Sequence, residues 1–180
     1  MLVRHMKTEK TPLIHFIITG GTIDSCYDGT KDTVVPLKKS VIPAFMATIR
    51  PSNEFVFEQL CMKDSRQLTP TDVDRILAAV QKSKHPRIII THGTYTMPDT
   101  ARFLQAKLGK TKKVVVLTGS MIPMHGFAPS DGTFNLGFAL GKIGSLSPGV
   151  HIAMNGRIFT PDEVYKSLYA GRFRSIFGER

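Results

Sequence analysis

Cysteine is scarce: Cys26 and Cys61 are the only two in 180 residues, far apart and outside any C-x-x-C pair. That spacing excludes a disulfide framework and a cysteine-based zinc site, so both are expected to be free thiols. Metal-ligand patterns are missing as well. None of the six histidines stands in H-E-x-x-H or another ligand spacing, so His92, His125 and His151 are expected in structural or loop roles, with no metal and no cofactor. No apolar run approaches the roughly 18 to 20 residues of a membrane span, and the opening Met1 to Lys10 is too polar for a signal-peptide core. A soluble, cytoplasmic chain with no membrane partner is the expectation. Nucleotide fingerprints are absent: no G-x-G-x-x-G follows the first apolar segment, and no G-x-x-x-x-G-K-[ST] occurs. Without G-x-S-x-G, a serine hydrolase of the α/β-hydrolase type is not supported either.

A formal charge of +10 raises the question of nucleic acid. The basic residues are dispersed, with only short groups such as Lys110 to Lys113, whereas phosphate-backbone binding needs a continuous basic surface. Nucleic acid is therefore not expected as a partner. The excess suits long-range steering of an anionic small molecule equally well.

What is present is regular. At 42% hydrophobic, 180 residues suffice for one well-buried domain, expected over 12–180 after a flexible polar arm at 1–11. The Ile-rich segment from Leu13 predicts a buried strand that ends at Thr19-Gly20-Gly21-Thr22. From Asp24 to Val35 no period stands out, which predicts a loop over that strand end. Ser40 can cap a helix whose apolar face is Val41, Ile42, Phe45, Met46 and Ile49, closed by Pro51. Strands are predicted at Phe55–Leu60, Arg87–Thr91, Lys113–Thr118 and Pro148–Met154. Helices are predicted after Thr69-Pro70, near Pro98 and after Ser130, and a short one from the Thr160-Pro161-Asp162-Glu163 capping box through Leu168.

Alternating strands and helices, with strands apolar on both faces, predict an α/β fold: three layers, an open, mainly parallel sheet with helices on both faces. Right-handed crossovers place the C-terminal ends of the parallel strands on one edge, where ligands bind in such sheets. Three of those ends carry Thr-Gly-Gly-Thr at 19–22, Thr-His-Gly-Thr at 91–94 and Thr-Gly-Ser at 118–120. Thr22 and Thr94 would supply hydroxyls, and the glycine turns would expose N–H groups to a developing oxyanion, which is equipment for acyl transfer.

Thr-Gly-Gly-Thr-Ile at 19–23, Asp64-Ser65, Ile-Thr-His-Gly-Thr at 90–94 and Leu-Thr-Gly-Ser-Met at 117–121 together resemble the bacterial-type L-asparaginase family. Phe134-Asn135-Leu136 and Gly149-Val150 through Met154-Asn155 follow in the same order, and the resemblance covers roughly residues 13–160, the family's larger N-terminal domain. It implies an amidohydrolase that releases ammonia from an asparagine-like side-chain amide, with Thr22 attacking and Thr94 in a second triad. Gly21 and Gly93 would shape the pocket, Ser65 and Arg66 would meet the substrate's α-carboxylate and α-amino groups, and Tyr27 would close over it from a loop.

Three positions depart from the pattern. Tyr95 stands where the family has the triad aspartate and Arg66 where it has glutamine, while Lys142 is the nearest candidate for the triad lysine, on a helix shorter than the family's. With the sequence running to Arg180, the smaller C-terminal domain that in the family reaches a neighbouring subunit's site is expected to be absent. A homodimer or tetramer is expected accordingly. The alternative expectation is a catalytically weak or inactive relative that binds a small amino acid or a dicarboxylate.

Overall fold

The computed structural model describes residues 13–178, so the arm expected at 1–11 lies outside the described residues. In chain order the elements are β1 (Ile14–Gly20), β2 (Ser25–Asp28), β3 (Thr33–Pro36), α1 (Ile42–Ile49), β4 (Phe55–Lys63), α2 (Pro70–Lys82), β5 (Arg87–Thr91), α3 (Met97–Leu108), β6 (Val114–Thr118), α4 (Asp131–Ile143), β7 (Gly149–Met154), β8 (Arg157–Phe159), β9 (Val164–Ser167) and β10 (Arg172–Ser175). Single 3₁₀ turns occupy Thr22–Asp24 and Ser65–Gln67.

The main sheet has six strands in the order β4-β1-β5-β6-β7-β8. All neighbours pair in parallel except β8, which folds back antiparallel on β7. Strand residues alternate between two cores because successive side chains leave a strand on opposite faces. Ile17, Ile88, Ile90, Val115 and Leu117 pack on one face with Ile76 and Val80 of α2 and Ala101 and Leu104 of α3. Phe16, Ile18, Ile89 and Val116 pack on the other with Ile42 and Met46 of α1 and Leu136 and Ala139 of α4. Helices cover both faces, so β1, β5 and β6 read as almost unbroken apolar runs. Each fully buried Ile or Val adds about 1.5–3 kcal/mol of transfer free energy, which makes this inner sheet the stable frame.

Three sequence expectations need correction. Residues 24–35 are not a bare loop: β2 and β3 form a hairpin with Cys26 opposite Val35 and Tyr27 opposite Val34, turned where Asp28 Oδ1 accepts from Thr30 N at 3.0 Å. Its base is fixed by buried Asp24, whose carboxylate accepts from Ser40 Oγ at 2.8 Å and Val41 N at 2.8 Å. Burial pushes the Asp24 carboxyl upward, and those donors oppose the shift without cancelling it. Second, β4 runs on past Leu60 to Lys63, since Gly20 at the end of β1 pairs with Lys63.

The third correction bears on function. Thr160 N does donate to Glu163 Oε1 at 2.8 Å, as a capping box would have it, yet β9 follows in place of a helix. Val164 and Phe173 bury their side chains in the core, and Lys166 pairs with Phe173 across the β9–β10 ribbon. Arg102 Nη2 donates to Val164 O at 2.8 Å, and Phe173 N donates to Asn155 Oδ1 at 2.9 Å. Asn155 N in turn donates to buried Asn135 Oδ1 at 3.0 Å. Tertiary pairing outweighs a local helix-start signal here.

The start of α2 is cross-linked to β4. Thr69 Oγ1 accepts from Asp72 N at 3.2 Å, while Asp72 Oδ2 accepts from Thr69 N at 2.9 Å and from Lys63 Nζ at 2.6 Å. Lys63 is the largest reason that the Asp72 carboxyl is held down at about 2. Its ionised form is thus bound more tightly in the folded chain, a stabilisation present above about pH 3.8 and lost as pH falls toward 2. Asp72→Ala is expected to lower the unfolding free energy by about 1–2 kcal/mol at neutral pH, read by urea denaturation with an unchanged m-value.

Candidate active site at the switch point of the sheet

The first crossover carries the chain from β1 to β4 on one side, and the next brings it back to β5 on the other. The strand order therefore reverses between β1 and β5, and the crevice beyond their C-terminal ends is where an open parallel sheet presents a site. Thr22 leaves the end of β1 and Thr94 leaves the end of β5.

Glycine lets these two loops touch. Gly21 has φ +82°, and a Cβ built on it would lie 2.4 Å from Gly93 N. One built on Gly93 would lie 2.6 Å from Ser65 Cβ, so the loops after β1, β5 and β4 stack backbone on backbone. Buried His92 holds the middle loop from below: its Nδ1–H donates to Gly93 O at 2.8 Å, and Thr100 Oγ1 donates to its Nε2 at 3.0 Å. With Gly93 C=O drawn down to the ring, the N–H of the same trans peptide, that of Thr94, points to the opposite side.

A cavity of about 290 Å³ opens above, lined by Thr22, Asp64, Ser65, Arg66, Gly93, Thr94, Tyr95, Lys166 and Leu168. Thr22 is partly exposed, and its hydroxyl makes no hydrogen bond to another described residue. Thr94 is buried and accepts from Lys166 Nζ at 2.7 Å. Burial depresses the Lys166 ammonium below its ordinary pKa, the charge of Arg66 adds to that, and Asp64 opposes it. A neutral amine is therefore more accessible here than on a surface lysine. Asp64 caps the Ser65–Gln67 turn by accepting from Arg66 N at 2.9 Å, and it also accepts from Arg66 Nε at 2.9 Å. Ser65 is buried and locks that turn to the β5 loop, its carbonyl accepting from Thr96 Oγ1 at 3.1 Å.

Of the residues singled out from sequence, Thr22, Thr94, Ser65, Arg66, Gly93 and Tyr95 share this cavity. Gly21 supports it from behind. Tyr27 is not among the lining residues: it sits on β2, 54% exposed, with its hydroxyl on Asp32. Lys142 is a correction, because it lies exposed in the last turn of α4 with its ammonium 5.9 Å from the Phe138 ring centre. The lysine in the site is Lys166. Sequence reading hid it inside a predicted helix, although the apolar pair Val164 and Phe173, on either side of Gly171, was a signal for a hairpin. A second cavity, about 360 Å³ between α2 and α3, shares Ser65 and Arg66 but contains neither Thr22 nor Thr94. Among the described residues no three His, Cys, Asp or Glu side chains converge as metal ligands.

The family model for the asparaginase N-terminal domain matches residues 13–174. The chain belongs to the asparaginase family. Its fold superposes on a probable cytoplasmic L-asparaginase from Campylobacter jejuni with a TM-score of 0.75 at 30% identity, covering 93% of this chain and 54% of that one. The thermostable L-asparaginase from Thermococcus kodakarensis gives 0.74 at 29% identity, over 91% and 51%. A probable L-asparaginase 4 of Schizosaccharomyces pombe is 31% identical over 178 residues, 87% of this chain and 48% of its own length. The chain thus spans about half the length of the asparaginases it matches. Within this asparaginase fold Tyr95 is 55% exposed at the cavity mouth, and Arg66 lies over its ring at 5.7 Å. Position 95 therefore offers an aromatic face to a guanidinium and no carboxylate to a ligand.

His92 couples the site to pH. Burial lowers its pKa from 6.5 to about 4, so between those values the unfolded chain takes up a proton that the folded chain refuses. Stability is expected to be unpenalised above pH 6.5 and to fall by about 3 kcal/mol as pH drops to 4. Melting temperatures measured across that range should show a shallower acid-side decline in His92→Gln than in the parent.

Proposed function

We propose that the chain is an asparaginase-type amidohydrolase that cleaves a small side-chain amide through a threonine nucleophile and releases ammonia. The observation that carries this reading is the Lys166–Thr94 contact of 2.7 Å, in the cavity that also holds Thr22. Thr22 Oγ attacks the amide carbon, and its proton passes through Thr94 to the Lys166 amine. The carbonyl oxygen becomes an oxyanion, for which backbone N–H groups of the glycine loops are the available donors. Collapse of that intermediate breaks the C–N bond, and the nitrogen leaves as ammonia with the proton returned by Lys166. Water then attacks the Thr22 ester, its proton follows the same route, and the acid departs as the threonine is restored.

Tyr95 favours the second reading, a binding protein for a small amino acid or dicarboxylate with little turnover, because position 95 supplies no carboxylate to complete a triad. Ammonia release from asparagine, glutamine and related ω-amides separates the two. Thr22→Ala and Lys166→Ala are each expected to cut turnover by about 10²–10³-fold, and the parent's rate is expected to rise with pH to a midpoint below lysine's ordinary 10.5. Ligand-dependent gains in melting temperature without any Thr22-dependent turnover would establish the binding protein instead.

The proposal includes a cytoplasmic location, supported by the solved Campylobacter relative's being named cytoplasmic and by the lack, among the described residues, of a helix long and apolar enough to cross a membrane. It also includes a homodimer or tetramer. Leu168 supports that part, since it lines the cavity while 72% exposed beside exposed Tyr169, and the other end of the same ribbon exposes Ile176 and Phe177. Light scattering after gel filtration is expected to give a dimeric or tetrameric mass, reduced by Phe177→Asp; a monomer at micromolar concentration would rule the assembly out.

A further inference from the structure

The charged residues lining the Thr22 cavity are Asp64, Arg66 and Lys166. Asp64 is already taken. Its Oδ1 accepts from Arg66 N and Nε, both at 2.9 Å, and its Oδ2 accepts from Arg66 Nη2 at 3.3 Å. Arg66 is not used up. A guanidinium has five N–H donors, of which Asp64 takes two, and the Arg66 side chain is 66% exposed over the face of Tyr95. Lys166 spends one N–H on Thr94 and forms no ion pair among the described residues. Ser65 Oγ accepts from Thr96 N at 3.4 Å and keeps its own proton for donation.

A ligand with an ammonium group would bring a further positive charge to Arg66, with the lining carboxylate already engaged by that arginine. A ligand with a carboxylate there would find the free guanidinium edge and a hydroxyl, a set that recognises carboxylates well. We propose that the preferred substrate is the monoamide of a short dicarboxylic acid: an ω-amide at the Thr22 end, a carboxylate at the Arg66 end, and no α-ammonium. This rests on the amidohydrolase reading and narrows it from amino-acid amides to amides of simple acids. The bond chemistry is unchanged, with water consumed and a dicarboxylate and ammonia formed.

The probes are succinamate and L-asparagine, which differ only in the α-ammonium. Like-charge placement is costly enough that kcat/KM for succinamate should exceed that for asparagine by about tenfold or more, through a lower KM. Arg66→Gln changes an exposed side chain and should erase the preference, raising KM for succinamate more than for asparagine. Thr22-dependent release from asparagine as fast as from succinamate would overturn the substrate class and leave the amidohydrolase standing. Failure of that broader reading is covered separately by calorimetric titration of the Thr22→Ala chain with both compounds. Tighter binding of succinamate, weakened in a Thr22→Ala, Arg66→Gln double variant, supports the inference without any turnover. Equal or weaker binding of succinamate, or no binding of either, overturns it.

Discussion

Two peptide backbones in direct contact, Gly21 on Gly93, are what the site depends on. A Cβ at Gly21 would come within 2.4 Å of Gly93 N, and one at Gly93 within 2.6 Å of Ser65 Cβ, so any side chain at either position would drive the three loops apart. Parallel pairing of β1 with both β4 and β5 brings the loops to one edge, with strand ends about 4.8 Å apart. Beyond those ends the loops approach so closely that no Cβ fits at either glycine. Thr22 and Thr94 then look into one cavity from two different strands.

Around that contact the protein places its strongly held groups underneath and its adaptable ones on top. His92 is neutral, buried and bonded at both ring nitrogens, so it fixes the Gly93 peptide without taking part as an acid or base near neutral pH. Asp24 does the same for the base of the β2–β3 hairpin, spending its carboxylate on Ser40 and Val41. Above lie Arg66 and Tyr95, exposed and stacked, in the same cavity as Lys166 on Thr94. Buried polar groups that are fully hydrogen-bonded give rigidity, whereas exposed charges set which ligand is drawn in.

Lys166 shows how far the site relies on distant parts of the chain. It stands on a two-stranded ribbon outside the main sheet, held by Val164 and Phe173 in the core and by a chain of asparagines, Asn155 on Phe173 and Asn135 on Asn155. Asn135 also donates to Gly119 O at 3.0 Å, so the loop after β6 and the ribbon that carries the lysine share one support. The familiar Phe134-Asn135-Leu136 motif thus acts through position, on a residue 31 places further along the chain.

Much of this was legible in the residues themselves. Ile-rich and Val-rich runs with no polar alternation could only be strands covered on both faces, and glycine–threonine pairs at their ends could only be tight turns bearing hydroxyls, since backbone sterics and burial act locally. Those two facts determined the α/β class and the position of Thr22 and Thr94 at one edge of the sheet, while Ser65, Arg66 and Tyr95 were grouped with them through the resemblance to the asparaginase family. Tertiary structure decided the rest. Whether residues 160–168 form a helix or a strand, and hence whether Lys142 or Lys166 meets Thr94, depended on burial of Val164 against partners more than 60 residues away. The state of Asp64, free for a ligand or consumed by Arg66, depended on one turn's geometry. Long-range contacts and side-chain pairing are set by the packed whole, and no window of sequence contains them.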